Sequence, residues 1–127
     1  MKKEIILTKD APAPIGPYSQ AVRVGQFLYC SGQIPLDPIS NQVVGTDVKT
    51  QAVQVMKNVE AVLKAGGASF SNVVKTTIFL KSMNDFPHVN EVYGAYFKEN
   101  PPARSTVEVA RLPKDVLVEV EVTAVLS

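Results

Sequence analysis

The chain has 127 residues, which suits a single domain over 1–127 and is long enough to bury a core without disulfides or metals. Apolar residues make up 46% and charged residues 20%, a globular balance that argues against disorder, and a net charge of +1 offers no basic excess for nucleic acid. No apolar run approaches membrane-spanning length, the stretch Met1-Lys2-Lys3-Glu4-Ile5-Ile6-Leu7-Thr8 is too short and too charged for a secretory signal, and Cys30 is the single cysteine, so the composition predicts a soluble cytoplasmic protein.

Residues 4–8 form a possible first strand. Pro12, Pro14 and Pro17 with Gly16 make residues 10–17 an extended loop, because proline removes a donor and fixes φ. Residues 20–24 and 27–31 read as a hairpin about a Gly25-Gln26 turn. Residues 36–44 read as a loop between Pro35, Pro38 and Asn41. Residues 48–65 carry the strongest helical signal. Val48, Ala52, Val55, Met56, Val59, Val62 and Leu63 recur at helical spacing, Asp47 is placed to cap the start, and Gly66-Gly67 to stop the end. Residues 73–81 form a β-branched strand. Residues 86–98 predict a second helix, with Val89, Val92, Tyr93, Tyr96 and Phe97 on one stripe and Asn100-Pro101-Pro102 beyond it. Residues 106–111 and 116–126 read as the last two strands, joined through Leu112-Pro113-Lys114-Asp115.

The order β-β-α-β-α-β-β predicts an α+β (α/β) two-layer sandwich, a mixed sheet with two helices on one face. The other sheet face must meet water or another subunit.

Strand alternation sharpens that second face. Val116, Val118, Val120, Val122, Ala124 and Leu126 form one apolar face, and Leu117, Glu119, Glu121 and Thr123 the other. If the last two strands pair as a hairpin with apolar faces toward the helices, Arg104, Thr106, Glu108, Glu119 and Glu121 share the opposite face. Lys75, Thr77 and Phe79 join them, alternating with Val74, Ile78 and Leu80. Phe27 and Tyr29 alternate with Leu28 and Cys30. A face mixing aromatics, threonines and charges predicts oligomerisation through the sheet, with pockets at the seams. A two-residue slip is compatible with the pattern, which leaves open whether Glu119 or Glu121 stands nearest Arg104.

The chemistry is narrowed by what is missing. One histidine and one cysteine fall short of a metal ligand set. His88, after Pro87 at a helix start, reads as a surface or capping residue, and Cys30 in an apolar strand as a small core residue. Gly66-Gly67 follows a helix instead of opening one, so no phosphate-cradling loop is present. Arg104 remains. A guanidinium grips a carboxylate through two parallel hydrogen bonds, and a nearby carboxylate can hold or deprotonate water. An intersubunit Arg–Glu salt bridge is the alternative reading of the same residues.

Gly16-Pro17-Tyr18-Ser19-Gln20, Ser31-Gly32-Gln33-Ile34-Pro35, Asn90-Glu91-Val92-Tyr93 and Pro102-Ala103-Arg104-Ser105-Thr106-Val107-Glu108-Val109, followed by Leu112-Pro113-Lys114, closely resemble the RidA (YjgF-type) family of reactive intermediate deaminases. Their order and spacing carry the resemblance over nearly the whole chain. It implies a chorismate-mutase-like homotrimer with helices outside and a site in each cleft between subunits. It implies cofactor-free hydrolysis of 2-iminobutanoate, 2-iminopropanoate and enamines such as 2-aminoacrylate to a 2-keto acid and ammonia. By motif, Arg104 binds the substrate carboxylate and Glu119 orients water and handles protons. Tyr18 closes the pocket, Ser31 and Gly32 line it, and Phe86 and Asn90 contribute from the second helix. Glu121 is read as an intersubunit ion-pair residue. Thr106 stands where many relatives have cysteine; it can hydrogen-bond but has no thiolate chemistry. No nucleic-acid or membrane partner and no metal is expected. Two other readings remain at this stage: an RNA-directed ribonuclease or translation inhibitor, and a non-catalytic sensor of 2-keto acids.

Overall fold

The computed structural model describes residues 2–127. One six-stranded sheet runs in the order β1-β2-β3-β6-β4-β5. Its strands are β1 (Lys3–Ile6), β2 (Ala21–Val24), β3 (Phe27–Gln33), β4 (Val73–Leu80), β5 (Ala103–Glu108) and β6 (Val118–Val125), with helices α1 (Val48–Ala65) and α2 (Phe86–Gly94). This is the expected mixed α+β sandwich. No helix among the described residues is long and apolar enough to cross a membrane.

Helix α1 forms as its periodicity predicts. Asp47 accepts the Thr50 amide at 3.0 Å, and Gly67 at φ +86 ends the helix, with the Ala68 amide donating to the Leu63 carbonyl at 2.8 Å. Val55, Met56, Val59, Val62 and Leu63 are all but fully buried against the sheet. The second helix stops at Gly94, four residues short of the expected 98. The Tyr96 and Phe97 amides turn back to the carbonyls of Tyr93 and Gly94, a tighter winding that still buries Phe97 on the stripe with Val89 and Tyr93.

The last two strands correct the expected hairpin. β6 lies between β3 and β4, antiparallel to both, while β5 pairs only with β4, in parallel. The reason is burial. Val118, Val120, Val122 and Ala124 are at most 2% exposed, which requires a central strand, whereas no residue of β5 is buried, as suits an edge. β5 also starts at Ala103 rather than 106.

This pairing inverts the expected face of β5. Arg104, Thr106 and Glu108 stand beside Thr76, Ile78 and Leu80, which are fully buried under the helices. Glu119 and Glu121 stand beside Phe79 and Thr77 on the opposite, open face. Arg104 therefore does not share a face with either glutamate. The apolar Val107 turns to the open side beside Phe79, where it is 39% exposed.

Two bulges adjust the sheet. Val74 is an extra residue between the Val73–Ala124 and Lys75–Thr123 pairs, so it is exposed and the inward series runs Val73, Thr76, Ile78, Leu80. In β3, Cys30 pairs with Val122 and Gln33 with Val120, so Ser31 and Gly32 together oppose Glu121. The open face also carries Phe27 and Tyr29, stacked at 6.2 Å and about half exposed.

Candidate active site

The bulge in β3 builds one half of the candidate site. A cavity of about 470 Å³ lies between the proline-rich loop, the end of β3 and the start of β6. Tyr18, Ser31, Gly32 and Glu119 all line it. Gly32 is required by close approach: a Cβ there would overlap Glu119 Oε2 and lie 2.9 Å from its Cδ. The missing side chain is thus the space that Glu119 occupies. Burial raises the Glu119 carboxyl above its ordinary 4.5, and the negative charge of Glu121 raises it further. A carboxyl raised in this way holds its proton more readily than an exposed one, as suits a group that both donates and accepts.

The loop over this cavity is held by groups whose tethering role sequence reading missed. Gln20 is 1% exposed. Its amide nitrogen donates to the Thr8 and Pro12 carbonyls at 3.0 and 2.9 Å, and its oxygen accepts the Thr8 amide at 2.7 Å. The Ser31 hydroxyl donates to the Ser19 carbonyl at 2.6 Å, so its first task is to fix the loop. Tyr18 is half exposed, and its hydroxyl accepts the Ile15 amide at 3.3 Å. On the far wall, buried Asn58 of α1 donates to the carbonyls of Ile34 and Leu36 at 3.1 and 2.9 Å. Lys114 reaches the cavity from a turn in which Lys114 and Asp115 both have φ near +55, a conformation unfavourable for non-glycine residues. The Asp115–Lys81 ion pair at 3.0 Å ties that turn to the end of β4. The only advance sign of these tethers was the proline content of the loop: a segment poor in N–H groups leaves carbonyls that side-chain amides must satisfy.

Arg104, Asn90 and Phe86 form a second cluster, on the helix side at the β5 edge. Arg104 Nη1 donates to Asn90 Oδ1 at 2.8 Å. The guanidinium carbon lies 5.2 Å from the Phe86 ring centre and 5.0 Å from that of Tyr93. Among the described residues no carboxylate is ion-paired with Arg104. Phe86 and Asn90 thus support the arginine directly. Thr106 faces the helix side beside Ile78, and its buried hydroxyl has no hydrogen-bond partner among the described residues. Glu121 is exposed on the open face.

The nominated residues therefore fall into two sets on opposite sides of the sheet, Tyr18–Ser31–Gly32–Glu119 and Phe86–Asn90–Arg104, with Thr106 on the side of the second. One offers an acid/base group in a largely apolar cavity, and the other a cation with unused donors.

Comparison with known proteins identifies the family. The chain matches the Endoribonuclease L-PSP family over residues 8–126. It is 55% identical over 122 residues to the RutC family protein PH0854 of Pyrococcus horikoshii, covering 96% of this chain and 97% of that protein. It is 50% identical over 123 residues to the human 2-iminobutanoate/2-iminopropanoate deaminase, covering 97% and 90%. A crystal structure described as a putative endoribonuclease (TM0215) from Thermotoga maritima superposes with a TM-score of 0.96 at 47% identity, covering 100% and 99% of the two chains. The chain belongs to the Endoribonuclease L-PSP family, the RidA (YjgF) family that its motifs resemble.

Proposed function

We propose that this protein is a cofactor-independent deaminase that hydrolyses short 2-imino acids and their enamines, 2-iminopropanoate, 2-iminobutanoate and 2-aminoacrylate among them, to 2-keto acids and ammonia. The observation that carries the reading is the Glu119 carboxyl, raised by burial, packed on Gly32 in a cavity of substrate scale. Half-identity to the human deaminase over almost the whole chain supports it.

Arg104 grips the substrate carboxylate through two N–H groups. Glu119, protonated, gives its proton to C3 of an enamine and so forms the protonated imine (iminium). Ionised, it takes a proton from water as the water oxygen attacks the imine carbon. That proton then passes from Glu119 to nitrogen, the C–N bond breaks to release ammonia, and the hydroxyl proton returns to the ionised Glu119 as the carbonyl forms. An imine is already electrophilic, so positioning plus one acid/base group suffices, worth roughly 10²–10⁴-fold in the acid/base part.

The site closes only between copies in this reading. Arg104 and Glu119 stand on opposite sheet faces of one chain, so an arginine from a neighbour must reach the Glu119 cavity. A homotrimer with three such clefts agrees with the family resemblance and with the half-exposed Phe27 and Tyr29 on the open face. Ammonia release from 2-aminoacrylate generated in situ tests the activity. A rate equal to the uncatalysed one for pure protein would refute it and leave a keto-acid sensor or an RNA-directed role.

A further inference from the structure

Tyr93 is absent from the site as nominated from sequence, yet it carries the underside of Arg104. Its ring centre lies 5.0 Å from the guanidinium carbon, and its hydroxyl meets Thr76 Oγ1 at 2.8 Å. Thr76 is wholly buried and Tyr93 6% exposed, so this bond is shielded from water. The strand register explains the meeting: Thr76 of β4 stands beside Arg104 of β5, both on the helix side, and Tyr93 of α2 descends on them. Phe97 packs against the Tyr93 ring at 4.7 Å, and Phe70 packs edge-on to Phe97 at 5.4 Å.

We propose that Tyr93, anchored by Thr76, is a positioning residue that clamps the Arg104 guanidinium between its own ring, the Phe86 ring and Asn90, and leaves the remaining N–H groups aimed at a substrate carboxylate. The proposal rests on the deaminase reading for its substrate. An arginine has five N–H donors, and Asn90 takes one of them at Nη1. No other protein acceptor is hydrogen-bonded to Arg104 among the described residues. Aromatic faces attract the cation without consuming a donor, so the clamp restricts the side chain while keeping its fork free for a two-bond grip. A salt bridge to Glu or Asp would hold Arg104 as firmly but would occupy that fork.

Because a carboxylate is bound alike in substrate and transition state, the clamp acts on KM and on keto-acid affinity and leaves kcat nearly untouched. The test measures binding of 2-ketobutyrate and steady-state constants for the full-length wild type and the Tyr93→Phe, Tyr93→Leu and Phe86→Leu variants. NMR of the Arg104 Nε and Nη groups reports rotation of the guanidinium in the unliganded proteins. Loss of a ring face is expected to weaken Kd and raise KM about tenfold in Tyr93→Leu and Phe86→Leu, with kcat within about twofold. Tyr93→Phe keeps the ring and loses the anchor, so about a threefold loss is expected. Guanidinium rotation should be slow in the wild type and fast in Tyr93→Leu. A merely structural Tyr93 would lower the melting temperature and the active fraction while Kd and rotation stayed at wild-type values, which overturns the proposal. Phe86→Leu applies the same test should Tyr93→Leu fail to fold. If wild-type protein binds no 2-keto acid the deaminase reading fails, and the rotation measurement still decides whether the clamp exists.

Discussion

Arg104 and Glu119 stand on opposite faces of one sheet. Arg104 is registered beside Thr76, under α2, and Glu119 beside Phe79 on the open side. The two side chains that the proposed reaction requires therefore cannot meet within a chain. Mixing Arg104→Ala protein with Glu119→Gln protein, each inactive alone, should restore activity after the subunits are exchanged. Random assembly in a cyclic oligomer gives intact sites at about a quarter of the clefts. Ammonia release after denaturation and co-refolding measures this, and no recovery would place the site within one chain.

Arg104→Ala should abolish 2-keto acid binding, with kcat/KM reduced roughly 10²-fold or more, because a charge-assisted two-bond contact is lost. Arg104→Lys should recover little of it, since a lysine offers one point charge and stacks poorly on Phe86 and Tyr93. Titration calorimetry with 2-ketobutyrate checks both, and full binding by Arg104→Ala would remove the arginine from the site.

Glu119 also makes a pH prediction. Its carboxyl is raised in the folded protein, by burial first and by Glu121 second. The folded state therefore binds a proton more tightly than the unfolded chain, and ionisation of Glu119 costs stability as pH rises from its ordinary 4.5 through the raised value. Glu119→Gln should accordingly melt higher than wild type at pH 7, with the gap closing below pH 4.5, while its activity is lost. Glu121→Gln should shift the acid limb of the wild-type rate profile to lower pH. Thermal melts from pH 4 to pH 8 would expose an error here if Glu119→Gln were less stable throughout.

Gly32→Ala puts a methyl group into the space held by the Glu119 carboxylate. Displacement of that carboxylate should lower kcat at least tenfold with KM changed less, an effect of geometry on the acid/base step. A Gly32→Ala protein with wild-type kcat would show that Glu119 can act from elsewhere.

Gln20→Ala removes the buried amide that ties Thr8 and Pro12 together and leaves their polar groups without a partner. A loss of roughly 2–4 kcal/mol in urea unfolding is expected. The loop bearing Tyr18 should also become more accessible to protease. Stability equal to wild type would mean that water replaces the amide at no cost.

How much of this was legible beforehand depends on the range of the interaction. Helix α1 was readable because its signals are local: apolar residues at helical spacing, Asp47 at one end and Gly66-Gly67 at the other. The unbroken valine face of β6 likewise announced a buried strand. The motif resemblance nominated Arg104, Glu119, Tyr18, Ser31 and Gly32. Strand alternation tells which residues share a side of one strand, but not which neighbour that strand will choose. The short link from β5 to β6 suggested a hairpin. Burial decided otherwise, drawing the apolar β6 to the sheet centre and leaving the polar β5 at its edge, parallel to β4. That single choice of partner moved Arg104 to the helix side and away from Glu119. The roles of Gln20, Asn58 and Tyr93 were not readable in sequence because each acts on groups 8 or more residues distant, through contacts that exist only once the sheet and helices have met. Residue types and local periods thus determined the elements and the chemistry available. Tertiary packing decided which groups face each other, because pairing and burial are properties of the whole chain.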